Sequence, residues 1–282
     1  MSVRIIVDSA SDLTKQRADA LNLDYVPLKT LFGEEEFLDG ITLSHEGFYE
    51  KLIECGVMPT TSQIPPYDFK EKYKEVKAAG DTAVVITLSS LLSGTYQSAA
   101  IALDGYEDCI SLVDSLNVSV GEQNLVQYAV RLRDKGLSAP EIAAELDRVK
   151  HKICVLAVFD TLEYLKQGGR ISKSAAWAGT ILSIKPVITV VKGEVAILGK
   201  ARGSRNGNNM LIENVRQSGG IDFSMPYCLG YTGLDDTLLQ KYIRDSASLW
   251  EGKVTNLPIT TIGSTIGTHA GPGAIAVSYF HL

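Results

Sequence analysis

The chain has 282 residues, room for one large domain or two ordinary ones, and its 45% hydrophobic and 21% charged residues are the composition of a folded globule rather than a disordered chain. With 27 Lys and Arg against 33 Asp and Glu the net charge is −6, which argues against a general polyanion binder while leaving room for a local basic patch. The 4 cysteines are scattered without a C-x-x-C pair, the 4 histidines lack ligand spacing, and no apolar run approaches the ~20 residues of a membrane span, so a zinc site and stable membrane insertion are not expected.

Val3–Val7 is an apolar strand that ends in Asp8-Ser9-Ala10-Ser11-Asp12, a turn-rich loop able to cap the helix after it. Ser44 caps a helix carrying Phe48, Leu52 and Ile53, and Gly56 stops it. Pro65-Pro66 opens a helix with Phe69, Tyr73 and Val76 on one face, closed by Gly80. Ala83–Leu88 is a β-branched run with the pattern of a buried parallel strand, and Ser93–Leu103 reads as a helix. A strand over Ile110–Val113 precedes a helix that runs to Gly136. Ser138-Ala139-Pro140-Glu141 is a capping box for the helix that ends near His151. This alternation predicts an α/β chain with a parallel sheet covered on both faces.

After Ile153–Phe159, a further strand, the pattern changes. A short helix over Leu162–Lys166 ends at Gly168-Gly169, and Pro186–Val191 and Val195–Leu198 flank Lys192-Gly193-Glu194 as a hairpin. A helix carries Met210, Ile212 and Val215, and another spans Leu238–Leu249. Strands follow from Tyr227–Tyr231, Ile259–Ile262 and Ala274–Phe280, which predicts a mixed sheet. A domain boundary is expected near residue 155, giving domains over 1–155 and 156–282. The reduced cysteines and the absence of a signal segment point to the cytoplasm, with Cys154 and Cys228 as core thiols.

Four segments are rich in small polar residues. Pro59-Thr60-Thr61-Ser62-Gln63 lies just before a helix start, and Ser89-Ser90-Leu91-Leu92-Ser93-Gly94-Thr95 joins a buried strand to a helix. Hydroxyls and free N–H groups at helix starts cradle anions, although ordinary capping accounts for either segment alone. Gly168-Gly169 can set Arg170 on a turn, where its guanidinium could make two parallel bonds to a carboxylate, and Arg202 could add a second charge; solvated arginines are the plainer alternative. The glycines of Gly263–Gly273 give His269 freedom to face a ligand, or leave it on an exposed turn.

No phosphate loop, G-x-G-x-x-G opening a helix after the first strand, G-x-S-x-G or H-E-x-x-H occurs. Ser93 and His269 with Asp8 or Asp114 can be written as a triad, so a serine hydrolase of acyl esters is the competing enzymatic reading. A DNA-binding regulator is poorly supported by an acidic chain without a recognition-helix motif.

Taken together, Asp8-Ser9-x-Ser11-Asp12-Leu13, Pro59–Gln63, Ser93-Gly94-Thr95-Tyr96-Gln97-Ser98-Ala99, Thr161–Leu165, Gly168-Gly169-Arg170-Ile171, Ile184-Lys185-Pro186 and Ile266-Gly267-x-His269-x-Gly271-Pro272-Gly273 make the chain resemble the DegV family over essentially its whole length. The resemblance implies an N-terminal α/β/α domain, a C-terminal mixed-sheet domain and a long-chain fatty acid held between them. It further implies the lipid-carrying subunit of a bacterial fatty acid kinase. Such a subunit has no cofactor of its own, and ATP and Mg belong to the kinase partner. The family's carboxylate site falls on Thr61, Ser93 and His269, with Arg170 close by and Arg202 a further candidate; Thr60, Ser62 and Gly94 would support it. Trp177, Ile181, Leu182 and Ile266 are candidates for the acyl-chain lining. The loop Leu116–Glu122 is bulkier than the family's usual small, Gly-rich one, which puts the chain-length preference in question.

Overall fold

The computed structural model describes residues 2–171 and 184–282. The first half runs β1 (Val3–Asp8), α1 (Lys15–Ala20), β2 (Leu23–Val26), β3 (Lys29–Phe32), β4 (Glu35–Leu38), α2 (His45–Cys55), β5 (Thr60–Ser62), α3 (Pro66–Ala78), β6 (Thr82–Thr87), α4 (Thr95–Ala102), β7 (Ile110–Asp114), α5 (Val120–Asp134) and α6 (Ala139–Val149). β1, β2, β6 and β7 form a parallel sheet in the order β2-β1-β6-β7. Alternate side chains serve opposite faces, as a two-residue period requires. Ile6, Ala83 and Val85 pack with Phe69, Tyr73 and Val76 of α3, whereas Ile5, Val7, Val84 and Ile86 pack with helices α5 and α6.

The strand order reverses between β1 and β6, and in such sheets a crevice opens beyond the carboxyl ends at that point. Asp8 bridges it: its carboxylate accepts from the N–H groups of Ala10 at 2.9 Å and Leu88 at 2.8 Å. Burial pushes that carboxyl up to about 7, against the two N–H donors that pull it down. The helix after β1 is capped by Thr14, while Asp8 caps only the single turn Ser9–Ser11.

An antiparallel sheet of order β4-β3-β5 was not expected from the sequence. Its strands are 3 or 4 residues long, and Glu35 and Glu36 are exposed, so no alternating apolar pattern announces it. Thr60-Thr61-Ser62 is thus an edge strand pairing with Lys29–Leu31.

The second half contains β8 (Ile153–Val158), α7 (Glu163–Gln167), β9 (Ile184–Val191), β10 (Glu194–Arg202), α8 (Gly203–Gln217), β11 (Tyr227–Tyr231), α9 (Thr237–Asp245), α10 (Ala247–Trp250), β12 (Ile259–Thr261), α11 (Ser264–Ala270) and β13 (Ile275–Phe280). Its mixed sheet has the order β10-β9-β8-β13-β11-β12, antiparallel except for β11 with β12. One face packs against α8, α9 and α10 through Leu156, Val158, Val187, Leu229 and Val277. The other presents Val155, Ala157, Ile188 and Ala276 toward the first half, with α5 lying between the two large sheets. The helix expected over Leu238–Leu249 is divided at Ser246, whose hydroxyl donates to the Tyr242 carbonyl at 2.6 Å and accepts the Trp250 indole N–H at 2.8 Å.

The segment leading into α11 is fastened to the first half. Asp12 accepts from the Gly263 N–H at 2.7 Å and from the Ser119 hydroxyl at 2.5 Å, while the Thr260 hydroxyl donates to the Asp12 carbonyl. Asp39 takes the Ser264 N–H and hydroxyl and the Thr265 N–H, so its carboxylate caps the start of α11. Tyr49 donates to the Ile262 carbonyl at 3.0 Å. Gly267 then lets α11 approach Phe48 and Tyr49, since a Cβ there would sit 2.6 Å from the Phe48 ring.

Candidate functional site

Between the loops at the carboxyl end of the parallel sheet and the inner face of the mixed sheet lies a cavity of about 890 Å³, counting its open mouth. Most of its wall is aliphatic: Leu28, Leu88, Val118, Val120, Val155, Ala157, Leu165, Ile188, Val190, Val195, Ile262, Ile266, Ala274 and Ala276 all contribute. Thr61, Ser62, Gln63, Ser93, Arg170 and His269 supply its polar side chains, together with Ser119 and Thr265.

Two short elements meet at its polar group. β5 turns Thr61 inward and α11 carries His269, so that Thr61 Oγ1 and His269 Nε2 stand 2.9 Å apart. His269 Nδ1 is buried with no partner, pressed against Gly168, where a Cβ would come within 2.1 Å of it. A buried N–H without an acceptor is costlier to leave than a bare lone pair, which assigns the proton to Nε2. His269 therefore donates to Thr61, leaving the Thr61 hydroxyl proton to turn toward a ligand. Burial, and then the charge of Arg170, push the imidazole down to about 4, so it is neutral at pH 7.

Arg170 is the cation of the site. Its Nε donates to the Leu92 carbonyl at 3.1 Å and its Nη1 to the Gly168 carbonyl at 2.7 Å. No described carboxylate forms an ion pair with it, and Arg170 is among the residues that line the cavity. Among the described residues the site thus offers one held positive charge and a set of hydroxyls, a combination that neutralises and orients a single carboxylate. Ser93 lines the same region, but its hydroxyl pairs with Thr95 Oγ1 at 3.0 Å and accepts the Thr95 N–H at 3.3 Å. Ser93 and His269 share no hydrogen bond, so the nucleophile–base pair that a serine hydrolase needs is not assembled.

The remaining expected residues divide. Ser62 is exposed but lines the cavity, and Ile266 lines it from α11. Thr60 is exposed and outside the lining. Gly94 acts indirectly: it leaves room for Gln63, whose Oε1 would be 2.0 Å from a Cβ there and whose Nε2 donates to Ser98. Arg202 is not brought to the site. It is exposed at the end of β10, about 23 Å along the strand from Val195, the point where β10 reaches the cavity. Trp177, Ile181 and Leu182 lie outside the described residues. The sequence reading missed most of the actual lining, notably Val155, Ala157, Ile188, Val190 and Ala276. Their alternation with Leu156, Val187 and Val277 marks a sheet buried on both faces, but nothing in that pattern distinguishes a ligand from a packed helix.

The buried imidazole also sets a pH dependence. Its pKa falls from the ordinary 6.5 to about 4 on folding, so the unfolded chain binds the extra proton between those values. The contribution of His269 to stability is present above pH 6.5 and is lost as the pH drops toward 4, by about 3 kcal/mol. Denaturant unfolding of wild type and His269→Gln at pH 7 and pH 4.5 should show the variant losing less stability over that interval. Equal losses would mean that His269 titrates normally.

Comparison with known proteins gives a consistent picture. The model of a family described as an uncharacterised protein, DegV family, matches residues 2–282. A DegV domain-containing protein of Caldanaerobacter subterraneus is 33% identical over 280 residues, covering 98% of each chain. One from Clostridium perfringens is 34% identical over 285 residues, covering 98% of this chain and 96% of its own. Among solved structures, a fatty-acid-binding DegV family protein from Thermus thermophilus superposes with a TM-score of 0.88 at 29% identity over 100% of both chains. A stearic acid-binding protein from Eubacterium ventriosum gives 0.85 at 26% identity, covering 99% of this chain and 97% of its own. The fatty acid binding protein DegV of Bacillus subtilis gives 0.84 at 26% identity over 100% of both.

Proposed function

The chain belongs to the DegV family, and from that premise we propose that it is a fatty-acid carrier which holds a long-chain acid in the cavity and presents the carboxylate to an ATP-dependent kinase. The observation that carries this reading is the cavity itself, an aliphatic chamber served by Thr61, Ser93, His269 and the carbonyl-held Arg170. Each buried methylene contributes ~0.8 kcal/mol, so a long tail gains roughly 10 kcal/mol before ordering costs. The polar group then has only to neutralise and orient the head, with Arg170 supplying charge and Thr61 a hydrogen bond steered by His269. Phosphoryl transfer requires a nucleotide, Mg²⁺ and a positioned acceptor oxygen. The carrier provides the oxygen and the kinase the rest, which is the division of labour expected of a cytoplasmic, non-catalytic subunit.

Mass spectrometry of the purified protein, native and then denatured, tests the carrier role. One non-covalent fatty acid per chain is expected; an empty protein that takes up no added fatty acid would end this reading. In a reconstituted kinase assay Arg170→Ala should lower acyl-phosphate formation at least about 10-fold, the scale of one lost charge-assisted bond. Unchanged turnover would remove Arg170 from the site.

A further inference from the structure

We propose that Tyr164 is a positioning residue of the carboxylate site, holding Arg170 in register with the Thr61–His269 pair by interlocking α7 with α11; the proposal rests on the fatty-acid reading of that site. Tyr164 is not among the described residues that line the cavity, so it acts through those that do. The two helices pack together, and each ends in a glycine, Gly168 after α7 and Gly271 after α11. On each glycine rests the ring of the other helix. A Cβ on Gly271 would come within 2.2 Å of the Tyr164 ring, and a Cβ on Gly168 within 2.1 Å of His269 Nδ1.

Helix termination explains only one of these glycines. Gly271 has φ 69°, in the region that favours glycine, so its backbone accounts for its identity. Gly168 has φ −70° and ψ −8°, a right-handed conformation that any residue adopts, and the left-handed turn falls instead on Gly169 at 68°. The missing side chain at Gly168 is therefore a matter of space, which the imidazole takes up. Tyr164 is supported from its other side. It packs against the cluster that contains Phe32, Phe48 and Tyr49, and Phe48 in turn bears on α11 at Gly267. The ring thus bridges that cluster and the end of α11.

The interlock sets the spacing between the cation and the hydroxyl. The Arg170 N–H donates to the Leu165 carbonyl at 3.1 Å and its Nη1 to the Gly168 carbonyl at 2.7 Å, which ties the residue to α7, while Nε donates to the Leu92 carbonyl. His269 belongs to α11, and its Nε2 meets Thr61 Oγ1 at 2.9 Å. Gly168 therefore holds the cation through its carbonyl and abuts the imidazole through its Cα. A carboxylate takes the Arg170 charge and the Thr61 hydrogen bond together when the two helices keep this register. Removing the Tyr164 ring takes away one of the two contacts that fix it. The aliphatic wall that Val155, Ala157, Ile188 and Ala276 supply from the mixed sheet is left as it was.

The test separates head from tail. Wild type, Tyr164→Ala, Tyr164→Phe and Gly168→Ala are delipidated and offered hexadecanoic acid and its methyl ester in equal amounts, with bound species counted by native mass spectrometry. The ester has the tail without the charge, so wild type should favour the acid. Tyr164→Ala should lower that preference about 10-fold, the scale of one charge-assisted bond, with ester binding retained. Gly168→Ala should lower it likewise, since the added methyl displaces the imidazole, and Tyr164→Phe, which keeps the ring, should preserve it. Packing damage alone would weaken acid and ester alike. That result, or the full wild-type preference in either alanine variant, overturns the inference while the carrier reading stands. If wild type binds neither acid nor ester, both fall.

Discussion

Ala276→Phe should give a folded protein that no longer holds a fatty acid. Ala276 sits on β13 opposite Ala157 of β8, and both side chains belong to the inner face of the mixed sheet that walls the cavity. Enlarging a side chain in a packed core usually forces strain of about 1–3 kcal/mol. Here the new ring enters space that is already open and aliphatic, so the cost of overpacking is largely avoided. What it displaces is tail. Excluding even four methylenes removes about 3 kcal/mol of binding, roughly 200-fold in affinity. The measurement is lipid content by mass spectrometry alongside the thermal midpoint of delipidated protein, which should match or exceed wild type. Full occupancy in the variant would place the acyl chain elsewhere.

The second large effect concerns Asp12, a fully buried residue in the left-handed region with φ 56°. Asp12→Ala strands the Gly263 N–H and the Ser119 hydroxyl in the interior, a loss of about 4 kcal/mol. Asp12→Asn keeps an acceptor for Gly263, tolerates the backbone conformation, and should cost no more than about 1 kcal/mol at pH 7. The two variants also differ from wild type in their response to pH. Burial raises the Asp12 carboxyl well above its ordinary value despite the Ser119 and Gly263 donors, with Asp39 and Asp8 adding to the rise. A group raised in this way stabilises the fold at low pH and loses that contribution as the pH climbs from the ordinary carboxylate value through the raised one. Asn carries no such slope, so it should gain on wild type between pH 5 and pH 8.5 in denaturant unfolding. A constant difference across that range would show that Asp12 is ionised in the fold.

The legible parts of the fold were those in which one local signal suffices. Ser44 and Gly56 bound α2 because a hydroxyl cap and a left-handed glycine are local devices, and the Glu141 side chain closes the capping box of Ser138 for the same reason. The Lys192-Gly193-Glu194 hairpin follows from residues that accept a tight turn. Illegible were features decided at long range. The start of α11 depends on Asp39, far back in the chain, so a glycine-rich run reads as a turn until that carboxylate is in place. Thr61 was singled out as a hydroxyl near a helix start, but it faces inward because Thr30 is its partner across β3 and β5. Arg202 failed because its type suits a carboxylate while its strand carries it to the wrong end of the hairpin.

Thr61 and His269 are 208 residues apart in the chain, and β13, the central partner of β8 in the mixed sheet, ends at Phe280. The polar group is therefore assembled only once His269 has been made and folded back onto Thr61. A nascent chain stopped after β12 has Thr61, Ser93 and Arg170 but neither the histidine nor the Ala274–Ala276 wall. On the carrier reading, a chain released before α11 and β13 are made is expected to sequester no fatty acid.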